Sequence, residues 1–254
     1  MSSLPDAAVP FWLAADWQIP GVRAGTTLRH GLGRSLPPFD SLNLGAACGD
    51  DPNTVVANRQ ALQQALALPR APSWLRQVHG VAVLPVTQSD QTPASSADAA
   101  VTELAGQPLA ILSADCLPVL LAAVDGSEIG AAHAGWRGLA AGVIGRTVQA
   151  MRTPVDRLQA WLGPAAGPLA YEVDEPVRAA FLAQDPAAEL GFRPGRAGHY
   201  WLDMNAIARA QLARLGVMRV SGGEHCTISQ AERFFSHRRD GRSGRMVSLI
   251  WIQP

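Results

Sequence analysis

Two kinds of apolar spacing run along the chain. Residues 54–67, TVVANRQALQQALA, place apolar side chains at helical intervals and stop before Pro69, which predicts a helix. EPVRAAFLAQ and MNAIARAQLARLG carry the same amphipathic spacing, and LAAGVIGRTVQAM predicts a further helix opened by the turn GWRG. Shorter apolar runs predict strands. One falls within 74–84, from the alternation around VAVLPV; one or two lie in PLAILSADCLPVLLAAV, interrupted near 115–118; EIGAAHA, LQAWLGP, MRVSGG and MVSLIWI hold one each. Between the last two, FFSHRRDGRSGR carries an Asp-Gly turn signal and reads as a solvated hairpin. PVTQSDQTPASSAD, residues 85–98, is linker-like but short, a surface loop rather than a domain boundary. Strands interleaved with helices, with a hairpin-like end, predict an α/β layered sandwich: a mixed β-sheet flanked by helices, formed by residues 1–254 as one domain.

Composition narrows the chemistry. Hydrophobic residues make up 48% of the 254, enough for a sizeable core. The formal net charge is zero, which argues against nucleic acid or an anionic membrane as the main partner. All 21 basic residues are arginine, so Schiff-base lysine chemistry and a Walker P-loop are excluded. The cysteines, Cys48, Cys116 and Cys226, are odd in number and lack framework spacing; a reducing, cytoplasmic setting fits better than a disulfide scaffold. The N-terminus shows no signal-peptide pattern, and no apolar run is long enough to span a membrane.

Against this background three residues stand out. His79 precedes a predicted strand, Cys116 follows one, and His133 ends one. Strand ends at one sheet edge are where α/β proteins gather their sites. One thiolate and two imidazoles would hold a tetrahedral Zn²⁺ with a fourth position open for water or substrate. Spacing by itself is weak support, since the chain has no HExxH, CxxC or Cys₂His₂ pattern. A buried inert thiol and two hydrogen-bonded structural histidines account for the same residues.

The flanking segments add a resemblance. WLRQVHG, SADCLPVLL, AAHAGWRGLAAGV, AWLGPAAGP, YEV, CT and FFSHRRDGRSGRM followed by SLIWI occur in order. Upstream, FDSLNLGAACGDDP and the NR at 58–59 extend the series. This set resembles the laccase-domain family, also called the multicopper polyphenol oxidoreductase or peptidoglycan editing factor family, over about residues 25–253. One departure lies at RHGLGRSLPPFDSLN, where the chain carries one residue more than the family's Gly-Gly-Val-Ser step while Ser35 and Asn43 keep their places. The resemblance implies a fold related to a bacterial toxin's cysteine-hydrolase domain and a zinc site on His79, Cys116 and His133. It also implies purine nucleoside phosphorolysis acting on inosine, adenosine or methylthioadenosine, with adenosine deamination beside it.

Residue chemistry tests those activities. A true multicopper site needs about ten histidines with HxH pairs; this chain has six and no HxH, leaving copper at the triad and weak polyphenol oxidation as the lesser alternative. Cytidine-type deaminases carry HxE and PCxxC, both missing here, so deamination would need another acid-base group; Asp115 is the candidate, with turn capping as its structural counterpart. Phosphorolysis needs an anion site, a ribose grip and help for the leaving purine. Arg59, Arg137, Arg238 and Arg239 are the phosphate candidates, since a guanidinium fork matches phosphate, and Arg137 sits at a predicted helix start. Asn43 and Gln77 are candidates for ribose or base, and Trp136, Phe234 and Phe235 for stacking, although aromatics are more often core. Two rivals remain. In one, Cys116 is the nucleophile of an amidase with His133 or His79 as base. In the other, Cys226 or His225 completes a four-ligand structural zinc.

Overall fold

The structure, a computed structural model, describes residues 10–87 and 96–254. In chain order, β1 (Trp12–Ala14) and β2 (Val22–Thr27) precede α1 (Pro52–Ala65). Then come β3 (Ser73–Trp74), β4 (Val83–Pro85), β5 (Ala99–Thr102), β6 (Leu109–Ser113), β7 (Leu117–Ala123) and β8 (Ile129–Ala134). Helices α2 (Trp136–Ala140) and α3 (Val143–Ala150) lead to β9 (Leu158–Leu162), β10 (Glu172–Asp174) and α4 (Glu175–Gln184). The chain closes with β11 (Phe192–Pro194), β12 (His199–Leu202), α5 (Met204–Leu215), β13 (Arg219–Gly222), α6 (His237–Asp240) and β14 (Met246–Ile252).

The strands form three sheets where the sequence suggested one. They are β1-β2-β14-β6-β3, β13-β9-β7-β8-β5-β4 and the small β10-β12-β11. The two large sheets mix parallel and antiparallel neighbours, so the α/β class with mixed sheets holds. Successive side chains alternate between faces, and here both faces are covered. Leu120 and Ala122 of β7 meet Leu109, Ile111 and Ile250 between the large sheets. Val119 and Leu121 turn the other way, onto Leu139, Val143, Ile144 and Leu212 of α2, α3 and α5. Beyond the five-stranded sheet, Val247, Leu249 and Trp251 pack on Leu62 and Leu66 of the α1 region. Helix, sheet, sheet and helix thus stack as layers. This explains why β6, β7 and β14 read as continuous apolar runs rather than alternating ones.

Local chemistry sets the boundaries. α1 begins earlier than its periodicity suggests because Asp51 caps it, accepting from the Asn53 and Thr54 N–H groups, with Pro52 at the first position. The helix expected over 139–151 is broken by Gly142, whose φ of +87° lies in the left-handed region. The strand read within 74–84 is two short strands in different sheets. The hairpin-like end is corrected: β13 pairs in parallel with β9 while β14 lies between β2 and β6, and the segment between them forms α6, capped by Ser236. Most of the 85–98 loop lies outside the described residues, but its last residues, Ala97 and Asp98, are buried.

Candidate metal centre and the adjoining cleft

After Ser113 the chain leaves the five-stranded sheet, and at Leu117 it enters the six-stranded one. The crossing carries Asp115, with φ +90°, and Cys116. β7 then pairs with β8 so that Pro118 faces His133. His79 follows β3 on a loop and itself has φ +61°. Two non-glycine residues in sparsely populated backbone regions, both at one site, mark a place where strain is held by surrounding contacts.

The expected trio converges. One donor atom from each of His79, Cys116 and His133 lies within 4.8 Å of the others. Cys116 Sγ is 3.9 Å from His79 Nε2, and the two imidazole rings meet edge to face at 4.9 Å. A tetrahedral Zn²⁺ with ordinary bond lengths has an S···N edge of about 3.6 Å, close to the observed gap. The chemistry of the donor set fits a thiophilic divalent ion, and so does the space. Gly135 has ordinary backbone angles, yet a Cβ there would stand 2.8 Å from Cys116 Sγ and 3.1 Å from His79 Cδ2. Glycine keeps the space beside the donors clear. Burial is graded, with His133 buried, Cys116 half-buried and His79 exposed, so the trio opens to solvent on the His79 side. Among the described residues this is the one such convergence of at least three His, Cys, Asp or Glu side chains.

The residue the sequence did not single out is Asp98. Its carboxylate is fully buried and accepts the N–H groups of Val78, His79 and Gly80 at 3.1, 2.9 and 2.7 Å. Asp98 Oδ1 also lies 2.8 Å from His133 Nδ1, and its backbone carbonyl accepts the His133 N–H. One side chain therefore fixes the His79 loop and the His133 ring. With Nδ1 held by the carboxylate, His133 presents Nε2, the tautomer a metal takes. Burial works against the Asp98 carboxylate, but the His133 and backbone hydrogen bonds hold it below the usual carboxylate range. Burial likewise pushes the Cys116 thiol up, while His133 and His79 outweigh it and bring it down to about 6. Burial pulls His133 down, yet Asp98 and Cys116 raise it to about 9. Each group therefore favours the charged form of the other, the thiolate beside a protonated imidazole.

A cleft of about 460 Å³ adjoins the trio, lined by Trp136, Arg137, Tyr171, Glu172, His199 and Arg238 among others. That volume lies in the usual range for small-molecule sites. Trp136 and Arg137 follow Gly135 directly, and the Arg238 N–H donates to Asp115 Oδ2, next to Cys116. Arg137 and Arg238 are exposed and have no carboxylate partner among the described residues. The Arg137 guanidinium lies 4.3 Å over the Trp136 ring, and that of Arg238 lies 4.8 Å over Tyr171.

The other candidates have structural duties. Asn43 is fully buried; its Oδ1 accepts from Gly45 and Arg245 N–H, and its Nδ2 donates to Asp50. Gln77 exchanges two hydrogen bonds with the Leu112 backbone. Arg59 donates twice to the Leu44 carbonyl and stacks on Trp74. Arg239 donates to the carbonyls of Thr227, Ile228 and Phe234. None of these lines the cleft. Both oxygens of Asp115 are engaged, by the Thr227 hydroxyl and the Arg238 N–H at 2.6 Å each, the anchoring arrangement that was its structural counterpart. Phe234 and Phe235 are core, with no exposed surface. Cys226 Sγ accepts from the Gly167 N–H and, like His225, stands outside the trio, so neither completes a four-ligand site. Among the described residues no helix is long and apolar enough to cross a membrane.

The family model described as multi-copper polyphenol oxidoreductase laccase matches residues 23–253, and the chain belongs to that family. A Xylella fastidiosa protein named purine nucleoside phosphorylase is 57% identical, covering 96% of this chain and 98% of the relative. The Escherichia coli purine nucleoside phosphorylase YfiH is 46% identical, covering 94% and 98%. Among solved structures, a Neisseria meningitidis protein superposes with TM-score 0.91 at 42% identity, covering 96% of this chain and all of its own. YlmD from Geobacillus stearothermophilus gives 0.91 at 36% identity, covering 99% and 98%.

Proposed function

We propose that this member of the multi-copper polyphenol oxidoreductase laccase family is a zinc-dependent purine nucleoside phosphorylase. Its substrates are inosine, adenosine and methylthioadenosine with inorganic phosphate, and adenosine deamination is a side activity. The observation that carries the reading is a pair of arginines without carboxylate partners, Arg137 and Arg238, in a small-molecule cleft that adjoins the Cys-His-His trio. The names of the Xylella fastidiosa and Escherichia coli relatives support it.

In this reading His79, Cys116 and His133 hold the ion, and Asp98 orients the two histidine-bearing segments. Zinc, when bound, supplies Lewis-acid polarisation to an oxygen or nitrogen of the substrate. The arginines of the chain position the phosphate. The Arg137 fork binds phosphate bidentately, and Arg238, one of whose nitrogens donates to the Glu172 carbonyl, adds its remaining N–H groups and charge to aim the anion at the anomeric carbon. Trp136 offers the cleft an aromatic wall, and Asp115 fixes Arg238 through its backbone.

The test is Cys116→Ala, with metal content by elemental analysis and hypoxanthine release from inosine plus phosphate. Zinc and both activities are expected to vanish together. Full phosphorolysis by the zinc-free variant overturns the reading. A second reading has its own observation: Cys116 Sγ lies 3.9 Å from His79 Nε2 and its thiol is brought down to about 6, as a nucleophilic cysteine of an amidase requires. Rapid alkylation of Cys116 in freshly purified protein, with no equimolar metal, would favour it.

A further inference from the structure

We propose that Tyr171 is the catalytic acid of the cleft and delivers its phenolic proton to the leaving purine; this rests on the phosphorylase reading above. Tyr171 is buried, and its backbone is pinned on both sides, the N–H donating to the Gly167 carbonyl and the C=O accepting the Leu202 N–H. The ring belongs to the main hydrophobic core and also forms part of the cleft wall, where the Arg238 guanidinium lies 4.8 Å from its centroid. An acid in this place has work to do. When the bond between the anomeric carbon and purine N9 breaks, its electron pair enters the purine, and protonation of N7 relieves that charge.

The other ionisable groups along the cleft are committed. Glu172 is paired with Arg196 and accepts the Arg196 N–H. Asp174 caps α4 through the Val177 N–H. His199 has its ring nitrogens engaged by the Ala197 carbonyl and Arg196. The arginines cannot release a proton near neutrality. Tyr171 is left as the O–H donor, and burial raises its phenol above the ordinary range, so it carries its proton at pH 7.

The step balances. A phosphate oxygen forms the new bond to the anomeric carbon as the bond to N9 breaks. The Tyr171 proton passes to N7, and the proton of hydrogen phosphate returns to the Tyr171 oxygen. The products are the sugar 1-phosphate and the neutral purine.

The experiment compares zinc-loaded wild type and Tyr171→Phe on two nucleosides with inorganic phosphate. Inosine needs protonation at N7. 7-Methylguanosine does not, because its alkylated purine already leaves as a neutral ring. Loss of an acid predicts about a 10²- to 10³-fold fall in kcat/KM for inosine, with 7-methylguanosine held within about threefold, which also shows that the variant is folded. Equal losses on both substrates, or none on either, overturn the acid role. Failure of the wild type on both nucleosides removes the phosphorylase reading itself, a result that Tyr171→Phe does not enter.

Discussion

Replacing Asp98 with asparagine changes one atom and should disable the metal centre. In the native site Oδ1 serves His79 N–H and His133 Nδ1, while Oδ2 serves Val78 and Gly80 N–H. An amide has a single acceptor oxygen, so its NH₂ must occupy one of those positions. With NH₂ at the Oδ2 position, the Val78 and Gly80 N–H groups lose their acceptor. With NH₂ at the Oδ1 position, the His79 N–H loses its acceptor and His133 must accept at Nδ1, which moves its proton to Nε2 and blocks metal binding. A buried donor left unsatisfied costs about 1–3 kcal/mol, so the first orientation costs about 2–6 kcal/mol and the second about 1–3 kcal/mol plus the change of tautomer, against a typical total stability of about 5–15 kcal/mol. Zinc affinity should fall about 10- to 100-fold, as when other carboxylates behind metal-bound histidines are lost. Urea unfolding of the metal-free protein and chelator competition for zinc measure the two effects separately. An Asp98→Asn protein with native stability and native zinc affinity would refute the assignment of Asp98 as the shared anchor of both histidine segments.

The remaining predictions address the donors, the anion site and the reassigned residues. Gly135→Ala puts a Cβ 2.8 Å from Cys116 Sγ, so the thiolate must shift; chelator competition should show at least a tenfold loss of zinc affinity, roughly the cost of a displaced ligand shell. Arg137→Ala and Arg238→Ala should each raise the KM for phosphate about 10- to 100-fold, the worth of a charge-assisted hydrogen bond, while zinc stoichiometry stays native. Asn43→Ala should lower stability by about 2–4 kcal/mol in urea unfolding, because it strips several buried groups of partners, yet leave the KM of the folded enzyme unchanged. Zinc binding requires both Cys116 and His133 without protons. Cys116 is down at about 6, so the thiolate is ready above that pH; His133 is up at about 9, so its proton must leave. Zinc affinity should therefore climb about tenfold per pH unit between about 6 and 9, level off above 9, and steepen below 6. Isothermal titration in buffers of different ionisation enthalpy reads the expected release of one proton per ion near pH 7.5.

How much of this was legible in the sequence depends on whether the information is local. The helices α1, α4 and α5 were, because amphipathic spacing and caps such as Asp51 are local features; the break at Gly142 and the single turn of α6 were not. The trio was also named from its residues and flanking motifs. The layered class could be inferred, but the division into three sheets could not, since β6 and β7 read as one apolar run with a brief interruption. Nothing in that run says that the sheets change at Ala114–Cys116. The arginine cluster misled for a related reason. Arg238 and Arg239 are chemically alike neighbours, yet one lines the cleft while the other donates to three carbonyls. Which way each points follows from the single turn of α6, a tertiary fact.

Asp98 shows why the anchor of the site was invisible while its ligands were not. An aspartate at the end of a polar loop carries the signature of a turn residue, and only strand register gives it another role. β5 and β8 pair with Ala99 opposite Ala132, so stepping back one residue sets Asp98 beside His133. β8 and β7 pair with Leu117 opposite Ala134, so stepping back one residue sets Cys116 beside Gly135, the residue whose missing side chain leaves room for the sulfur. A one-residue slip in either pairing would turn every side chain of the strand to the other face. It would carry the imidazole, the carboxylate or the thiolate away from the common point. The centre is thus specified twice, by the identity of its donors and by two registers enforced by burial on both faces of β7 and β8. The core layers that make these strands uniformly apolar are also what hold the metal donors in position.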